Sequence, residues 1–283
     1  MNKEFEIAIK LAPHHIDWKT LIWSAEYADE ATIFSDFWNF DHFYPIYGDT
    51  SGPCLESWVT LSAIAQATSR IRVGCMVNGA HYRHPAVVAN MASALDIVSD
   101  GRFELGLGAG WNQEESSAYG IELGTLTERF DRFDEALEII VSMTSKEITS
   151  FQGKYFTVFE ARNNPKGPQK SLPICIGGTG EKRTLRSVAQ YATHWNLPLF
   201  SQDVFKHKFS VLQNHCLNTG RDISNIKVST HVFVTPDTNL DAIQKDIEIQ
   251  RISGINQSII YFQPPISLKQ IEKVTERTTK SFT

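Results

Sequence analysis

Two adjacent residues, Asp41 and His42, are the first candidates for chemistry in this 283-residue chain. Histidine has an intrinsic pKa of about 6.5, so its imidazole can accept or donate a proton near neutral pH. Asp41 is not expected to orient that imidazole, because neighbouring side chains of an extended segment point to opposite sides. The pair is a candidate proton-transfer site, and the alternative is a structural turn.

A glycine-rich stretch is the first candidate for ligand binding. Gly106, Gly108 and Gly110 form a G-x-G-x-G pattern that ends at Trp111. Glycine allows a backbone to approach a phosphate or a flat ring closely. A dinucleotide-binding fingerprint is not supported, because position 111 is not glycine and such motifs open the first βαβ unit. The alternative is a tight turn that binds nothing.

A second glycine-rich stretch follows a later strand and comprises Gly177, Gly178, Thr179 and Gly180. It is expected to open a helix, whose unpaired backbone amides and positive dipole end favour an anion. The stretch therefore predicts a phosphate site, with the Thr179 hydroxyl as an additional donor. A glycine-rich turn without a ligand is the alternative.

Polar residues beside the first glycine stretch have less specific signals. Trp111 and Asn112 are expected to line a pocket. Glu114 and Glu115 are interpreted as first-turn carboxylates that the helix dipole favours, and a catalytic carboxylate is the less favoured interpretation.

The spacing His81-x-x-His84 allows a metal site in principle. No metal is expected there, because no carboxylate or cysteine ligand accompanies the two histidines. His84 is instead expected to cap or precede a helix that begins at Pro85.

These candidates lie on alternating strands and helices. Apolar β-branched runs alternate with segments of helical periodicity, which is typical of a parallel sheet. The expected strands cover residues 6–11, 32–38, 71–77, 102–107, 173–176, 194–197, 226–235 and 258–262. Eight such units without a linker predict an α/β chain folded as one (β/α)8 TIM-barrel domain over residues 1–283. Residues 145–172 break the pattern, which predicts an insertion after the fourth helix, with a hairpin that turns at Gly153 and Lys154.

Composition and charge restrict the partners. The chain is 42% hydrophobic and 21% charged, with a formal net charge of -5. A nucleic acid or an anionic membrane requires a basic face, so neither partner is expected. The four cysteines form no C-x-x-C pair, which is typical of free thiols in a reducing compartment. No signal peptide or membrane span is expected, and the chain is interpreted as cytoplasmic.

Longer motifs carry a resemblance to a known family. The stretch GRFELGLGAGWNQEE, followed by YGI and ERFDRFDEALEII, closely resembles luciferase-like flavin and deazaflavin oxidoreductases. FDHFYP, HYRHPAVVA, SFQGKYFTV, NPKGPQ and ICIGGTGEKRTL extend the resemblance over residues 38–198. The Asp-His pair and IGGTGEKRTLR are most similar to the branch that uses coenzyme F-420. DEATIFSDFW departs from the usual approach to the second strand, which is expected to alter only a surface turn.

The resemblance implies an isoalloxazine-type ring across the barrel mouth, pressed by a bulge in the third strand. The cofactor-binding residues that it implies are Cys75, Met76, Val77, Asn78, Gly108, Ala109, Gly110, Trp111, Gly177, Gly178, Thr179, Gly180 and Asn196. His81 and Tyr82 are also expected to reach the cofactor. Asp41 and His42 become the implied catalytic residues beside the ring and the reacting centre.

The implied activity is hydride transfer between coenzyme F-420 and a small organic substrate. One alternative is an FMN-dependent monooxygenase that uses oxygen. The other alternative is a barrel that binds a flavin without turnover, which the presence of Asp41 and His42 disfavours. Similarity to the family also implies a homodimer. The substrate is not predicted.

Overall fold

Parallel strands close into a barrel in the computed structural model, which describes residues 5–282. The strands of the barrel are β1 (Glu6–Leu11), β2 (Phe34–Asn39), β3 (Arg72–Cys75), β4 (Asn78–Gly79), β5 (Phe103–Gly108), β8 (Ile174–Gly177), β9 (His194–Leu197), β10 (Lys227–Val234) and β11 (Gln257–Phe262). β3 and β4 share one position because both pair with β5, and β11 pairs back with β1. The predicted (β/α)8 TIM barrel is confirmed.

Helices surround the barrel. They are α1 (Trp18–Glu30), α2 (Ser57–Ala67), α3 (Pro85–Val98), α4 (Gln113–Ala118), α5 (Leu126–Ser145), α6 (Thr184–Tyr191), α7 (Gln202–Thr219), α8 (Leu240–Ile252) and α9 (Leu268–Phe282). Thr125 and Glu128 form a capping box at the start of α5, and His84 caps α3, as the sequence predicts. Among residues 5–282, no helix has the length and apolarity needed to cross a membrane.

The segment after α5 forms the expected hairpin. β6 (Ile148–Gln152) and β7 (Thr157–Arg162) pair in antiparallel register outside the barrel. The Glu135 carboxylate of α5 accepts hydrogen bonds from the backbone N–H groups of Lys154 and Phe156 at 2.7 and 2.9 Å. Glu135 therefore holds the hairpin turn against helix α5.

Two apolar layers enclose the strands, as expected for a parallel sheet buried on both faces. Outward-facing strand residues such as Ile9 and Leu105 belong to the large core between barrel and helices. A smaller cluster fills the barrel itself and consists of Ala8, Trp38, Met76, Cys175 and Ile259.

Paired charges fill the barrel near the starts of its strands. His194 Nδ1 lies 2.6 Å from Glu104 Oε1, and Lys227 Nζ lies 3.9 Å from oxygens of both Glu104 and Asp36. Burial raises the pKa of Glu104, but the Lys227 charge and the His194 contact outweigh burial and lower that pKa to about 2. The charges at this end of the barrel thus pair with one another. Residues at this end of a (β/α)8 barrel usually serve stability.

The third barrel position is interrupted at its carboxyl end. The strand expected over residues 71–77 stops at Cys75, the Met76-Val77 peptide bond is cis, and the chain pairs again at Asn78. Lys10 Nζ donates to the Met76 carbonyl at 2.9 Å, and Asn78 Nδ2 donates to the Gly106 carbonyl at 2.8 Å. We refer to Met76 and Val77 as the bulge.

Glycines of the neighbouring strands make room for the bulge. A Cβ at Gly106 would lie 1.9 Å from the Cys75 carbonyl oxygen, and one at Gly108 would lie 2.7 Å from the Val77 side chain. Both glycines belong to strand β5 and not to the turn after it. Glycine is required at these two positions because β5 lies so close to Cys75 and Val77.

Substitution of Gly106 by alanine tests this requirement. Because backbone atoms of Cys75 must move, we expect Gly106→Ala to lower the free energy of unfolding by roughly 3 kcal/mol, measured by urea denaturation. Gly177→Ala is the matched control, since its Cβ would meet only the Val77 side chain at 3.2 Å or more. Equal losses in the two variants would contradict the backbone constraint.

Candidate active site

A cavity of about 510 Å³ opens where the barrel strands end. This is the end at which (β/α)8 barrels bind ligands. Most of the residues predicted from the sequence meet in its wall. They are Asp41, His42, Met76, Val77, Asn78, Gly108, Ala109, Gly110, Trp111, Gly177, Gly178 and Asn196, together with His81 and Tyr82.

Three of the predicted cofactor-binding residues do not line this cavity. Cys75 lies between barrel and helices, where Ser57 Oγ donates to its sulfur at 3.4 Å. Thr179 and Gly180 lie in the connection that follows Gly178. Cys75 shares the outward face of β3 with Val73, because successive side chains of a strand point to opposite sides.

The helix expected to open at Gly180 begins four residues later, at Thr184. The intervening residues form a turn. Arg183 holds that turn, because its guanidinium pairs with Asp131 at 2.9 Å and with Asp134 at 2.8 Å on α5. Thr184 lines the cavity, so the start of α6 still faces it.

His42 is oriented by a carboxylate that is distant in sequence. Its Nδ1 lies 2.7 Å from Glu115 Oε2, and the Glu115 side chain is fully buried. The imidazole also packs edge-on against Trp111, with ring centroids 5.6 Å apart. Because Nδ1 is used in this way, Nε2 is the ring nitrogen left for a ligand in the cavity.

Glu115 collects further donors. The Tyr82 hydroxyl and the Phe43 N–H both donate to its carboxylate. Burial raises the pKa of Glu115, but hydrogen bonds from His42, Tyr82 and Phe43 outweigh burial and lower the pKa below its ordinary value. Glu115 lies in the first turn of α4, as expected, and it also positions His42, a role that the sequence analysis did not predict.

Asp41 faces a different partner. Arg83 donates to both of its carboxylate oxygens, at 2.6 and 3.0 Å, and to Glu56 at 2.6 Å. Burial raises the pKa of Asp41, and the Arg83 guanidinium opposes that rise. Asp41 therefore does not orient His42, which agrees with the expectation for adjacent residues.

Two further polar side chains near α4 have local roles. Asn112, which was expected to line the pocket, caps α4 by accepting from the Glu115 N–H at 3.1 Å. His81 Nε2 lies 3.1 Å from Ser116 Oγ. His84 Nδ1 accepts from the Ala86 N–H at 3.2 Å at the start of α3.

The side of the cavity across the barrel from Gly108 and Gly177 contains residues that the sequence analysis missed. Lys10, His231 and Tyr261 line the cavity from β1, β10 and β11. Lys10 had a visible signal, since it is a lysine within the apolar run EIAIKL. His231 and Tyr261 had none, because they lie in the less distinctive last third of the chain.

The glycine-lined wall fits a flat ring with polar edges. Gly108 and Gly177 carry no side chain, and the Val77 side chain of the bulge packs against both glycines. Asn78 Oδ1 is buried and has no hydrogen-bond partner among residues 5–282, although it lines the cavity. An unpaired buried acceptor of this kind suits an N–H group of a bound ring.

Fold and site together define a (β/α)8 barrel with a ligand cavity at the carboxyl ends of its strands. The model of the family described as luciferase-like monooxygenase matches residues 5–278. The chain belongs to this family, whose members are oxidoreductases and monooxygenases.

Two relatives and one solved structure illustrate the range of the family. The pyrimidine monooxygenase RutA of Caulobacter segnis is 31% identical over 200 residues, covering 68% of this chain and 54% of the relative. The F420-dependent hydroxymycolic acid dehydrogenase of Mycobacterium tuberculosis is 34% identical over 178 residues, covering 62% and 48%. The chain thus spans about half the length of these relatives. An F420-dependent secondary alcohol dehydrogenase in complex with an F420-acetone adduct shares the fold, with a TM-score of 0.87, 19% identity and coverage of 99% and 100%.

The cluster around Glu115 can be tested by an isosteric change. Glu115→Gln replaces an acceptor oxygen with an NH₂ group that faces donors, so we expect the free energy of unfolding to fall by roughly 1–3 kcal/mol. Chemical denaturation measures this loss. Glu114→Gln, on the exposed neighbouring residue, is the control and should change little. Equal stability of the two variants would show that the Glu115 contacts are weak.

Proposed function

We propose that this protein is an oxidoreductase that transfers a hydride between coenzyme F-420 and a small organic substrate. The observation that carries the proposal is the geometry of His42. Its Nδ1 is held by the buried Glu115, and its ring lines the cavity next to Trp111 and the glycine-lined wall. A proton-transfer group is therefore fixed beside a surface that fits a flat ring.

The cofactor would occupy the glycine-lined wall. Met76 and Val77 would support its ring, with Gly108, Ala109, Gly110 and Trp111 along one side. Gly177, Gly178 and Thr184 would face its phosphate at the start of α6, which has no side-chain cap. Helix amides without a capping partner favour an anion. Thr179 and Gly180 would contribute from the adjacent backbone, and Asn196 would face the ring edge.

The residues around the reacting centre would move and hold a proton. When bound, the deazaflavin exchanges two electrons with the substrate as a hydride. His42 would donate a proton to the substrate oxygen, or accept one from it, through Nε2. Glu115 keeps the proton of the imidazole on Nδ1 and so keeps Nε2 directed at the cavity. Asp41, neutralised by Arg83, would form the adjoining wall as the second predicted catalytic residue.

Several observations support F-420 over FMN without deciding between them. The hydroxymycolic acid dehydrogenase relative and the alcohol dehydrogenase neighbour are both named as F420-dependent. Proton transfer by a fixed imidazole suits alcohol and ketone interconversion. The pyrimidine monooxygenase relative favours the second candidate, an FMN-dependent monooxygenase that uses oxygen. A third candidate is a barrel that binds a flavin without turnover.

We also propose that residues 1–283 form one domain and that the protein acts as a cytoplasmic homodimer. Its four cysteines are free thiols, which suits a reducing compartment. The dimer follows from the family resemblance.

The first test is a titration of the purified protein with F-420 and with FMN, followed by calorimetry. We expect F-420 to bind at least tenfold more tightly, a difference of about 1.4 kcal/mol. Preference for FMN would replace the proposal with the monooxygenase. Failure of both cofactors to bind would overturn each flavin-based candidate.

The role of His42 is tested by His42→Ala. We expect turnover to fall roughly 100-fold or more, because a general acid–base group is lost. The cofactor dissociation constant should change little, since the glycine-lined wall is intact. His207→Ala, at an exposed position of α7, is the control. Turnover unaffected by His42→Ala would remove this residue from the mechanism.

A further inference from the structure

Three buried polar side chains form the wall opposite the glycines. Lys10, His231 and Tyr261 are only 5%, 8% and 3% exposed, and all three line the cavity. They come from the adjacent strands β1, β10 and β11. We call these three residues the polar wall.

Lys10 brings a charged donor to the polar wall. Its Nζ donates to the Met76 carbonyl at 2.9 Å and lies 4.5 Å from the centre of the Tyr261 ring. Burial lowers the pKa of Lys10 to about 8. The ammonium form therefore predominates at neutral pH, and it carries hydrogens beyond the one given to Met76.

His231 presents an acceptor. Its Nδ1 lies 3.1 Å from the Pro198 carbonyl oxygen, which can only accept, so Nδ1 carries the hydrogen. Burial lowers the pKa of His231 to about 3, which keeps the ring neutral. Nε2 then has a free lone pair, and it has no hydrogen-bond partner within residues 5–282.

Tyr261 presents a second donor. Its hydroxyl is buried and has no hydrogen-bond partner in the described part of the chain. Burial raises the pKa of Tyr261, so the phenol keeps its proton. His231 Nε2 and the Tyr261 hydroxyl are therefore two unpaired polar groups on one cavity wall, and a ligand with a donor and an acceptor would satisfy both.

The ligand that contacts the polar wall is the substrate, because the cofactor ring is assigned to the glycine-lined wall. If the proposed function holds, the cofactor ring occupies the glycine-lined wall. The space between that ring and the polar wall then belongs to the substrate. This inference rests on the proposed function for the placement of the ring, whereas the donors and acceptor of the polar wall do not depend on it.

We propose that Lys10, Tyr261 and His231 recognise a neutral substrate in which a carbonyl oxygen lies beside an N–H group, as in a lactam or a cyclic ureide. Lys10 and Tyr261 donate to the carbonyl oxygen. His231 Nε2 accepts from the neighbouring N–H. A carboxylate would set one of its oxygens against the His231 lone pair, and a hydrocarbon would leave all three groups unpaired.

Small fragments of matched shape test the proposal. The probes are δ-valerolactam, cyclohexanone and cyclohexanecarboxylate, titrated by ligand-detected NMR into the wild-type protein. The lactam and the ketone both present a carbonyl oxygen, and only the lactam adds an N–H, whose contribution the His231→Leu variant isolates. We expect the lactam to bind roughly tenfold more tightly than the ketone, the effect of one hydrogen bond in a buried site.

Two variants divide the contacts between the wall residues. His231→Leu should bring the lactam and the ketone to within about twofold of each other, because only the N–H contact is lost. Tyr261→Phe should weaken both fragments by a similar factor, because each uses its carbonyl oxygen. Circular dichroism and a thermal melt establish that each variant is folded. If one variant fails to fold, the other still tests the contact that it removes.

The outcomes separate the two proposals. An unchanged lactam preference in His231→Leu, or tightest binding of the carboxylate, would overturn the polar wall as a recognition site. The same samples are titrated with F-420 and FMN. Cofactor binding without a lactam preference overturns only the polar wall. A lactam preference that His231→Leu removes, in a protein that binds neither cofactor, supports the polar wall and overturns the proposed function.

Discussion

The close approach of the bulge to strand β5 is the constraint on which the site depends. The Cys75 carbonyl reaches so near Gly106 that no side chain fits between them, and Val77 presses in the same way on Gly108. Lys10 fixes the bulge from the barrel interior through the Met76 carbonyl. This packing thus produces a cavity wall of glycines and the Val77 side chain, with no bulky side chain from Gly108 or Gly177.

The second determinant is the placement of one imidazole. His42 follows β2, whereas its partner Glu115 lies on α4 after β5, and the two meet only because the loops at one end of a barrel converge. Glu115 is buried and also receives the Tyr82 hydroxyl. A buried carboxylate with several donors holds the ring nitrogen in a defined tautomer, which is what a proton-transfer residue needs.

The cavity therefore has two chemically different halves. The bulge and the glycines offer shape with little side-chain chemistry. The polar wall offers two donors and one acceptor, which are buried and only partly satisfied. Under the proposed function, the cofactor is held by shape and the substrate by hydrogen bonds. Fold alone does not fix the substrate, because function depends on the individual residues of the site.

Local periodicity predicted most of the strands: the expected bounds of β1 and β9 match the structure. It was sufficient because alternation and capping are short-range properties of the chain. The sequence also identified most of the glycine-lined wall and His42, through motifs that are contiguous. The late start of α6 was missed, because it depends on the pairing of Arg183 with Asp131 and Asp134 on another helix.

The hydrogen-bond partners of His42 and Lys10 were not predicted from the sequence, because they also lie on distant elements. Glu115 finds His42 across 73 positions, and Lys10 finds the Met76 carbonyl across 66. Only closure of the barrel creates such contacts, since no local rule relates residues so far apart. The sequence alone thus predicted the barrel and identified His42, which lines the cavity. Burial and long-range pairing decided which charges face each other and which polar groups are left for a ligand.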